Sequence, residues 1–307
     1  MVIFARLSLV SILILLVGGV VAGFVNAVSA AGSLISLPLL IFTGLPAGDV
    51  KRLAEQLTGI GRVRWMADPQ QALSDAVFNR LQAALARRAS GEPVAYILGE
   101  AGFYGRLFSV TPAVLIPRPE TEELVERVLA SIAQSQGALQ RILDVGTGSG
   151  VIAVTLALEN TALQVQACDI STDALQVAQK NAIALNAPVQ FRHSDWLSAF
   201  SANEVFDVIV SNPPYIRQDD PHLQQGDLRF EPAGALTDRA DGLTAYRQLA
   251  QAACTHLRPG GWLWVEHGWH QQPDITNLFR AAGLLNVQGF TDLSGNARMV
   301  CAQRPAG

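Results

Sequence analysis

Residues 141–158 read RILDVGTGSGVIAVTLAL: an apolar run, a turn with glycine at alternate positions, and a second apolar run. The spacing predicts a strand over Arg141–Val145 and a helix over Val151–Leu158, with Gly146, Gly148 and Gly150 making the turn. Downstream the same alternation continues. Strands are expected at Val165–Asp169, Val189–His193, Phe206–Ser211 and Trp262–Glu266, and two more close the chain near Leu285–Phe290 and Ala297–Ala302. Between them fall expected helices at Asp173–Leu185, Leu243–Leu257 and Pro273–Ala282. Strands alternating with helices require a parallel sheet covered on both faces. The expected fold class is therefore α/β, a doubly wound, mostly parallel sheet of seven strands.

Upstream of that unit the chain changes character twice. Glu120–Gln134 reads as a helix with acidic residues at its positive end. Residues 91–120 read as a linker punctuated by Gly91, Pro93 and Gly99, followed by a strand or hairpin over Phe108–Ile116. Residues 49–90 read as short amphipathic helices, a small N-terminal helical domain. Residues 1–48 hold one ionisable side chain, Arg6, out of 22 Lys and Arg and 26 Asp and Glu in the chain. Within them Leu7–Val28 is long enough to cross a hydrocarbon layer of about 30 Å as a helix. A cleaved secretory signal ending near Val28-Ser29-Ala30 is the alternative. The expected domains are thus 1–48, an extra apolar segment with possible membrane association through residues 7–46; 49–90; 91–120; and 121–307.

Composition narrows the function classes. The chain of 307 residues is 50% hydrophobic and 16% charged, with a formal net charge of −4. That balance argues against a non-specific nucleic-acid binder, which needs clustered cations to neutralise phosphates. Cys168, Cys254 and Cys301 lie too far apart to encode a zinc knuckle, no metal set is apparent among five scattered histidines, and the catalytic part reads as reduced and cytoplasmic.

Two motifs carry chemistry. Gly146-Thr147-Gly148-Ser149-Gly150 follows a strand and opens a helix, and its spacing is G-x-G-x-G, with Val151 where a dinucleotide fingerprint wants glycine. Asp169 ends the next strand, where a carboxylate can accept hydrogen bonds from two ribose hydroxyls. A nucleoside without a pyrophosphate suits this pair better than a dinucleotide. The second motif, Asn212-Pro213-Pro214-Tyr215, follows the apolar strand Phe206–Ser211 and should face the same crevice. Its prolines remove two N–H donors and leave carbonyl oxygens free. An Asn oxygen plus one such carbonyl can hold both protons of an NH₂ group, with Tyr215 against its planar face.

DVGTGSG, Asp169 and NPPY together resemble the S-adenosylmethionine-dependent methyltransferases that act on planar NH₂ nitrogens. GEPVAYILGEAGFYG (Gly91–Gly105), LIPRPETEELV (Leu115–Val125), HSDW (His193–Trp196) and EHGWHQQ (Glu266–Gln272) narrow the resemblance to the release-factor glutamine N(5)-methyltransferases, over about Ala54–Ala302. The resemblance implies a class I methyltransferase-type fold, S-adenosyl-L-methionine as cofactor, and a peptide-chain release factor as partner, methylated on the glutamine of its Gly-Gly-Gln motif. Carried over by position, Gly146–Gly150 line the methionine part of the cofactor, Asp169 its ribose and Trp196 its adenine region. Asn212, Pro213, Pro214 and Tyr215 hold the glutamine, Asn212 also bordering the cofactor, and Phe103 and Arg118 shape the substrate entrance. Methylation of an adenine amine in DNA or RNA is the competing activity, because NPPY also suits that planar group. The family begins with a complete helical domain, whose first helices are displaced here by the apolar segment. Ala22–Pro46 itself resembles the opening of the sulfite/anion exporter family.

Overall fold

The computed structural model describes residues 45–67, 73–135 and 137–306. The apolar run of residues 7–44, with the membrane, signal and exporter readings attached to it, lies outside these residues. Among the described residues, no helix is long and apolar enough to cross a membrane.

The chain divides into two units at Leu98/Gly99. In the first, helices α1 (Ala47–Thr58), α2 (Arg62–Ala67), α3 (Asp75–Ala89) and α4 (Val94–Leu98) follow one another. Their apolar faces meet in a small core of Val50, Leu53, Ala54, Leu81 and Ala84, closed by Val94. The stop between α1 and α2 is Gly59, whose φ of 69° gives the left-handed residue that ends a helix without Cβ strain. Ser74 opens α3 by accepting the Val77 N–H.

The second unit opens on a hairpin, β1 (Glu100–Phe103) and β2 (Arg106–Ser109), turned through Tyr104 and Gly105 at φ 49° and 70°. The hairpin expected over Phe108–Ile116 thus lies earlier. Residues 110–118 form no strand and run as an irregular strap into α5 (Pro119–Gln134).

The main sheet then builds as β3 (Arg141–Val145), α6 (Val151–Glu159), β4 (Gln164–Asp169), α7 (Thr172–Ala184), β5 (Val189–His193) and β6 (Phe206–Ser211). After a long connection holding the short helix α8 (Ala233–Leu236) come α9 (Thr244–His256), β7 (Leu257–Glu266), α10 (Gln272–Ala281), β8 (Leu285–Thr291) and β9 (Ala297–Gln303). The strand order is β5-β4-β3-β6-β7-β9-β8. Pairings are parallel from β5 through β7, and β9 runs antiparallel to both its neighbours. This is the expected seven-stranded, doubly wound sheet.

Its interior strands are apolar on both faces because helices cover both: all six residues of β6 are buried. One core gathers Val128, Ile142, Val154, Val165 and Val208; the opposite one gathers Leu143, Phe206, Ile209, Leu249, Leu263 and Phe279. The chain leaves β3 toward β4 on one side and returns to β6 on the other. That reversal opens a crevice at the carboxyl ends of β3 and β6, the usual place for a ligand in an open sheet.

Candidate active site

Two cavities occupy the crevice. The first, about 380 Å³, lies over the ends of β3, β4 and β6 and falls within the range of about 300–1,000 Å³ typical of small-molecule sites. Gly146, Thr147, Gly148 and Ser149 form its floor, Asp169 and Trp196 one wall, and Asn212, Pro213 and Pro214 the other, with Arg118 at the rim. The second, about 540 Å³, begins where the first ends, at Asn212, Leu115 and Arg118, and extends past Tyr215 to His222, Asp227 and Glu231.

The floor is glycine for a geometric reason. Gly146 and Gly148 sit at φ 73° and 57°, and a Cβ on either would meet no atom within 4 Å. Bare backbone therefore faces the cavity. Gly150, at φ 84°, is different: its Cβ would come 3.1 Å from the Ala178 Cβ, so this glycine packs the loop onto α7 and does not line the cavity. The loop is also tied from below. Asn181, on α7 and buried, donates to the Ser149 and Ser109 carbonyls at 2.8 and 3.0 Å and accepts from the Ser109 N–H.

Asp169 accepts from the Gly148 N–H and the Ser171 N–H, both at 2.9 Å, while Ser171 caps α7 with its own hydroxyl. The Ile170 N–H also bonds to the Asp169 carboxylate, which has about four acceptor positions, so acceptor capacity remains for a ligand. Burial pushes its pKa up. Beneath the loop, Asp144 is fully buried; it accepts from Thr147 Oγ1 at 2.6 Å and the Ala153 N–H at 3.2 Å, and burial lifts it to about 7.

Asn212 stands between the cavities. Its Nδ2 donates to Thr121 Oγ1 at 3.0 Å, and that hydroxyl donates to Glu266 Oε2 at 2.7 Å. Tyr215 lines only the second cavity, and its carbonyl is held by Gln271 Nε2 at 3.0 Å. Buried Gln271 has its remaining groups satisfied as well, donating to the Gly242 carbonyl and accepting from the Gly268 N–H. The strap of residues 110–118 is pinned over the site by Glu231, which accepts from the Ile116 N–H at 2.9 Å and from Arg118 Nη2 at 2.5 Å.

Phe103 corrects the expectation placed on it. It is 1% exposed, packed edge-on against Phe108 in the core, and lines neither cavity. His267 is fully buried, with burial lowering its pKa, in keeping with a structural histidine. Thr121, Glu266, Glu231 and Gln271 carry no role in the sequence reading, although Glu266 ends a fully apolar stretch, WLWV, where a carboxylate asks for a partner.

A sheet of this order with a glycine loop after its first strand defines a nucleoside-cofactor methyltransferase. Accordingly, a Methyltransferase small domain family model matches residues 124–233, and a PrmC N-terminal domain model matches residues 43–99. Release factor glutamine methyltransferase from Bordetella pertussis is 47% identical over 265 residues, covering 85% of this chain and 96% of that protein. The Escherichia coli enzyme of the same name is 41% identical over 255 residues, covering 83% and 91%. Among solved structures, a methyltransferase from Pyrococcus furiosus superposes with a TM-score of 0.50 at 17% identity, covering 73% of this chain and 99% of that one, which speaks for the fold. The chain belongs to the release factor glutamine methyltransferase family, and the first cavity fits its cofactor, S-adenosylmethionine: the bare floor admits a close-lying ligand, and Asp169 keeps acceptors for hydroxyls.

Proposed function

We propose that this chain methylates the side-chain amide nitrogen of the glutamine in the Gly-Gly-Gln motif of peptide-chain release factors. The observation that carries the reading is the position of Asn212 in the wall shared by the two cavities, with its Nδ2 turned to Thr121 and so its oxygen free. In this reading the first cavity holds the cofactor, with Gly146–Ser149 under its methionine part, Asp169 at its ribose and Trp196 at its adenine, and the second admits the glutamine. S-adenosylmethionine supplies, when bound, an electrophilic methyl group on a positively charged sulfur.

An amide nitrogen is a poor nucleophile because its lone pair is delocalised into the carbonyl. Asn212 Oδ1 and the Pro213 carbonyl accept its two N–H groups and favour the more pyramidal nitrogen of the transition state. Tyr215 lies against the amide plane. Holding the nitrogen in line supplies much of the rate, and no strong base is needed, because the nitrogen carries the positive charge once it takes the methyl group and this cationic amide readily loses its extra proton to water, leaving the neutral N-methyl amide. The fixed strap carrying Arg118 borders the entrance. We assign the helical unit of residues 49–90 to docking the release factor, and place the reaction in the cytoplasm, where that substrate and cofactor meet.

Mass spectrometry of a release factor incubated with S-adenosylmethionine and the full chain tests this, with DNA and RNA as parallel substrates. One added methyl on the Gly-Gly-Gln glutamine is expected. Transfer to an adenine amine with none to the release factor would replace the reading with nucleic-acid methylation.

A further inference from the structure

Asn212 has a two-fold ambiguous side chain. Its oxygen and nitrogen are nearly the same size, so packing alone does not choose which one faces the crevice. The choice matters: an oxygen there accepts a proton from an incoming NH₂ group, whereas an NH₂ there opposes it.

A chain of three residues from distant parts of the sequence makes that choice. Thr121 sits in the first turn of α5, Asn212 follows β6 and Glu266 ends β7. Thr121 is 3% exposed and Glu266 1% exposed, so water does not compete for their hydrogen bonds. A hydroxyl has one proton to give. The Thr121 proton goes to Glu266 Oε2 at 2.7 Å, so toward Asn212 the Thr121 oxygen can only accept. Asn212 must then present Nδ2, which it does at 3.0 Å, and Oδ1 is turned away from Thr121.

We propose that Thr121 and Glu266 are positioning residues that set the polarity of the Asn212 carboxamide, so that its oxygen faces the NH₂ group to be methylated. The inference rests on the assignment of Asn212 to that NH₂ group. Glu266 lines neither cavity and Thr121 only borders the first; toward the target NH₂ group both act through Asn212.

The chain can run in reverse only if Glu266 carries a proton. Its carboxyl O–H would then donate to Thr121 Oγ1, the Thr121 proton would pass to Asn212 Oδ1, and Nδ2 would face the crevice. Burial raises the Glu266 pKa to about 7, against the opposing pull of the Thr121 hydrogen bond. The charged groups that face it are Glu120 and Arg118 at the start of α5 and Arg298 on β9, with the phenols of Tyr215 and Tyr246 alongside. Burial pushes both phenols upward, away from neutrality.

The test uses two readouts on the full chain. The first is the exchange protection of the Asn212 side-chain NH₂ protons by NMR, assigned by their loss in Asn212→Ala and recorded without substrate. The second is kcat for methylation of a release factor as a function of pH. Thr121→Val keeps the shape and removes the hydroxyl; it is expected to abolish protection and lower kcat, measured at saturating cofactor, by about 10–100-fold, the range of one lost hydrogen bond to a charged or reacting group. Thr121→Ser, which restores the hydroxyl, is expected to recover both. The wild-type rate should fall as pH drops through about 7, and Glu266→Gln should lose that limb whatever its plateau. Unchanged amide protons in Thr121→Val overturn the inference whatever the rate. Released amide protons with an unchanged rate overturn the assignment of Asn212 to the target NH₂ group, and the inference with it. A low-pH limb that persists in Glu266→Gln overturns the part given to Glu266.

Discussion

Alanine at Gly150 and alanine at Gly148 should produce opposite signatures, although both residues belong to one motif. Gly150 sits at φ 84°, where an alanine costs about 1–2 kcal/mol. Its new Cβ would also lie 3.1 Å from the Ala178 Cβ and 3.2 Å from the Ala178 Cα, a crowding on the low side of the ~1–3 kcal/mol typical of overpacking. The sum, roughly 2–4 kcal/mol, should lower Tm by about 5–15 °C for a unit of this size. Gly148, at φ 57° with nothing within 4 Å of its added Cβ, should lose only the backbone part, about 1–2 kcal/mol. Its methyl group, however, would project into the cavity floor. Cofactor affinity measured by calorimetry should therefore fall at least tenfold in Gly148→Ala and only a few-fold in Gly150→Ala, a tenfold change being about 1.4 kcal/mol. Pairing Gly150→Ala with Ala178→Gly separates the two costs by a double-mutant cycle: removing the opposing methyl should return about 1 kcal/mol, beyond the ~1 kcal/mol that a helical glycine costs by itself. A Gly150→Ala protein with unchanged Tm, or a cycle with no coupling, would refute the packing argument. Equal losses of cofactor affinity in the two single variants would refute the division between floor and support.

Asn212→Ala should cut kcat on a release factor by about 10²–10³-fold, as for removal of a transition-state hydrogen-bond partner, while calorimetry finds cofactor affinity nearly intact. Asp169→Ala should mainly weaken cofactor binding, by about 10²–10⁴-fold for two lost charge-assisted hydrogen bonds, and unchanged binding would remove it from the ribose. Glu231→Ala frees the Ile116 N–H and Arg118 together, so KM for the release factor should rise more than kcat falls; steady-state kinetics decides. Asp144 has a folded pKa of about 7 against 3.8 otherwise, so the folded chain binds its proton more tightly. Its contribution to stability is therefore most favourable below pH ~4 and declines as pH rises to about 7, and Asp144→Asn should flatten the fall of Tm across that window.

The sheet was legible because its signals are local. β3, β5 and β6 fall on the expected residues, and the other strands of the sheet shift at one end by a single residue, with one exception. β7 starts at Leu257, not Trp262: a Gly-Gly pair ordinarily marks a turn, but here a Cβ on Gly261 would come 2.9 Å from the Arg258 and Asp207 carbonyls, so the glycine permits close backbone approach within the strand. The first hairpin was misplaced for a related reason. Its turn rests on Tyr104, a residue that seldom adopts positive φ, rather than on an Asn-Gly or Asp-Gly pair. Phe103 then fell on the inward face of a strand that the sequence did not announce. The glycine floor, Asp169 and NPPY were readable as motifs, but their supports were not. Thr121 reaches Asn212 across 91 residues and Glu266 across 145, and Glu231 reaches Ile116 across 115. Nothing in a residue's own neighbourhood records such a pairing.

The second cavity weighs between an amide carried by a protein and an amine carried by a nucleic acid. Single strands are bound through cations that follow the phosphates and aromatic faces on which bases stack. Here the lining offers one arginine, Arg118, and its charge is already met by Glu231, whose side chain is fully buried. Among the described residues no further Lys or Arg lines the cavity to follow a phosphate backbone, and Tyr215 is the lone aromatic ring among the lining side chains apart from His222. Leu115, Ile216, Leu228 and Leu236 add apolar surface beside the polar Asn212 and Gln225. An uncharged glutamine flanked by glycines meets no repulsion there and needs little width, because glycine neighbours bring no side chains to clash. In the proposed reading the NPPY geometry that could hold an adenine amine is approached through a wall suited to a neutral peptide loop, which puts selectivity between the two substrates at the approach rather than at Asn212.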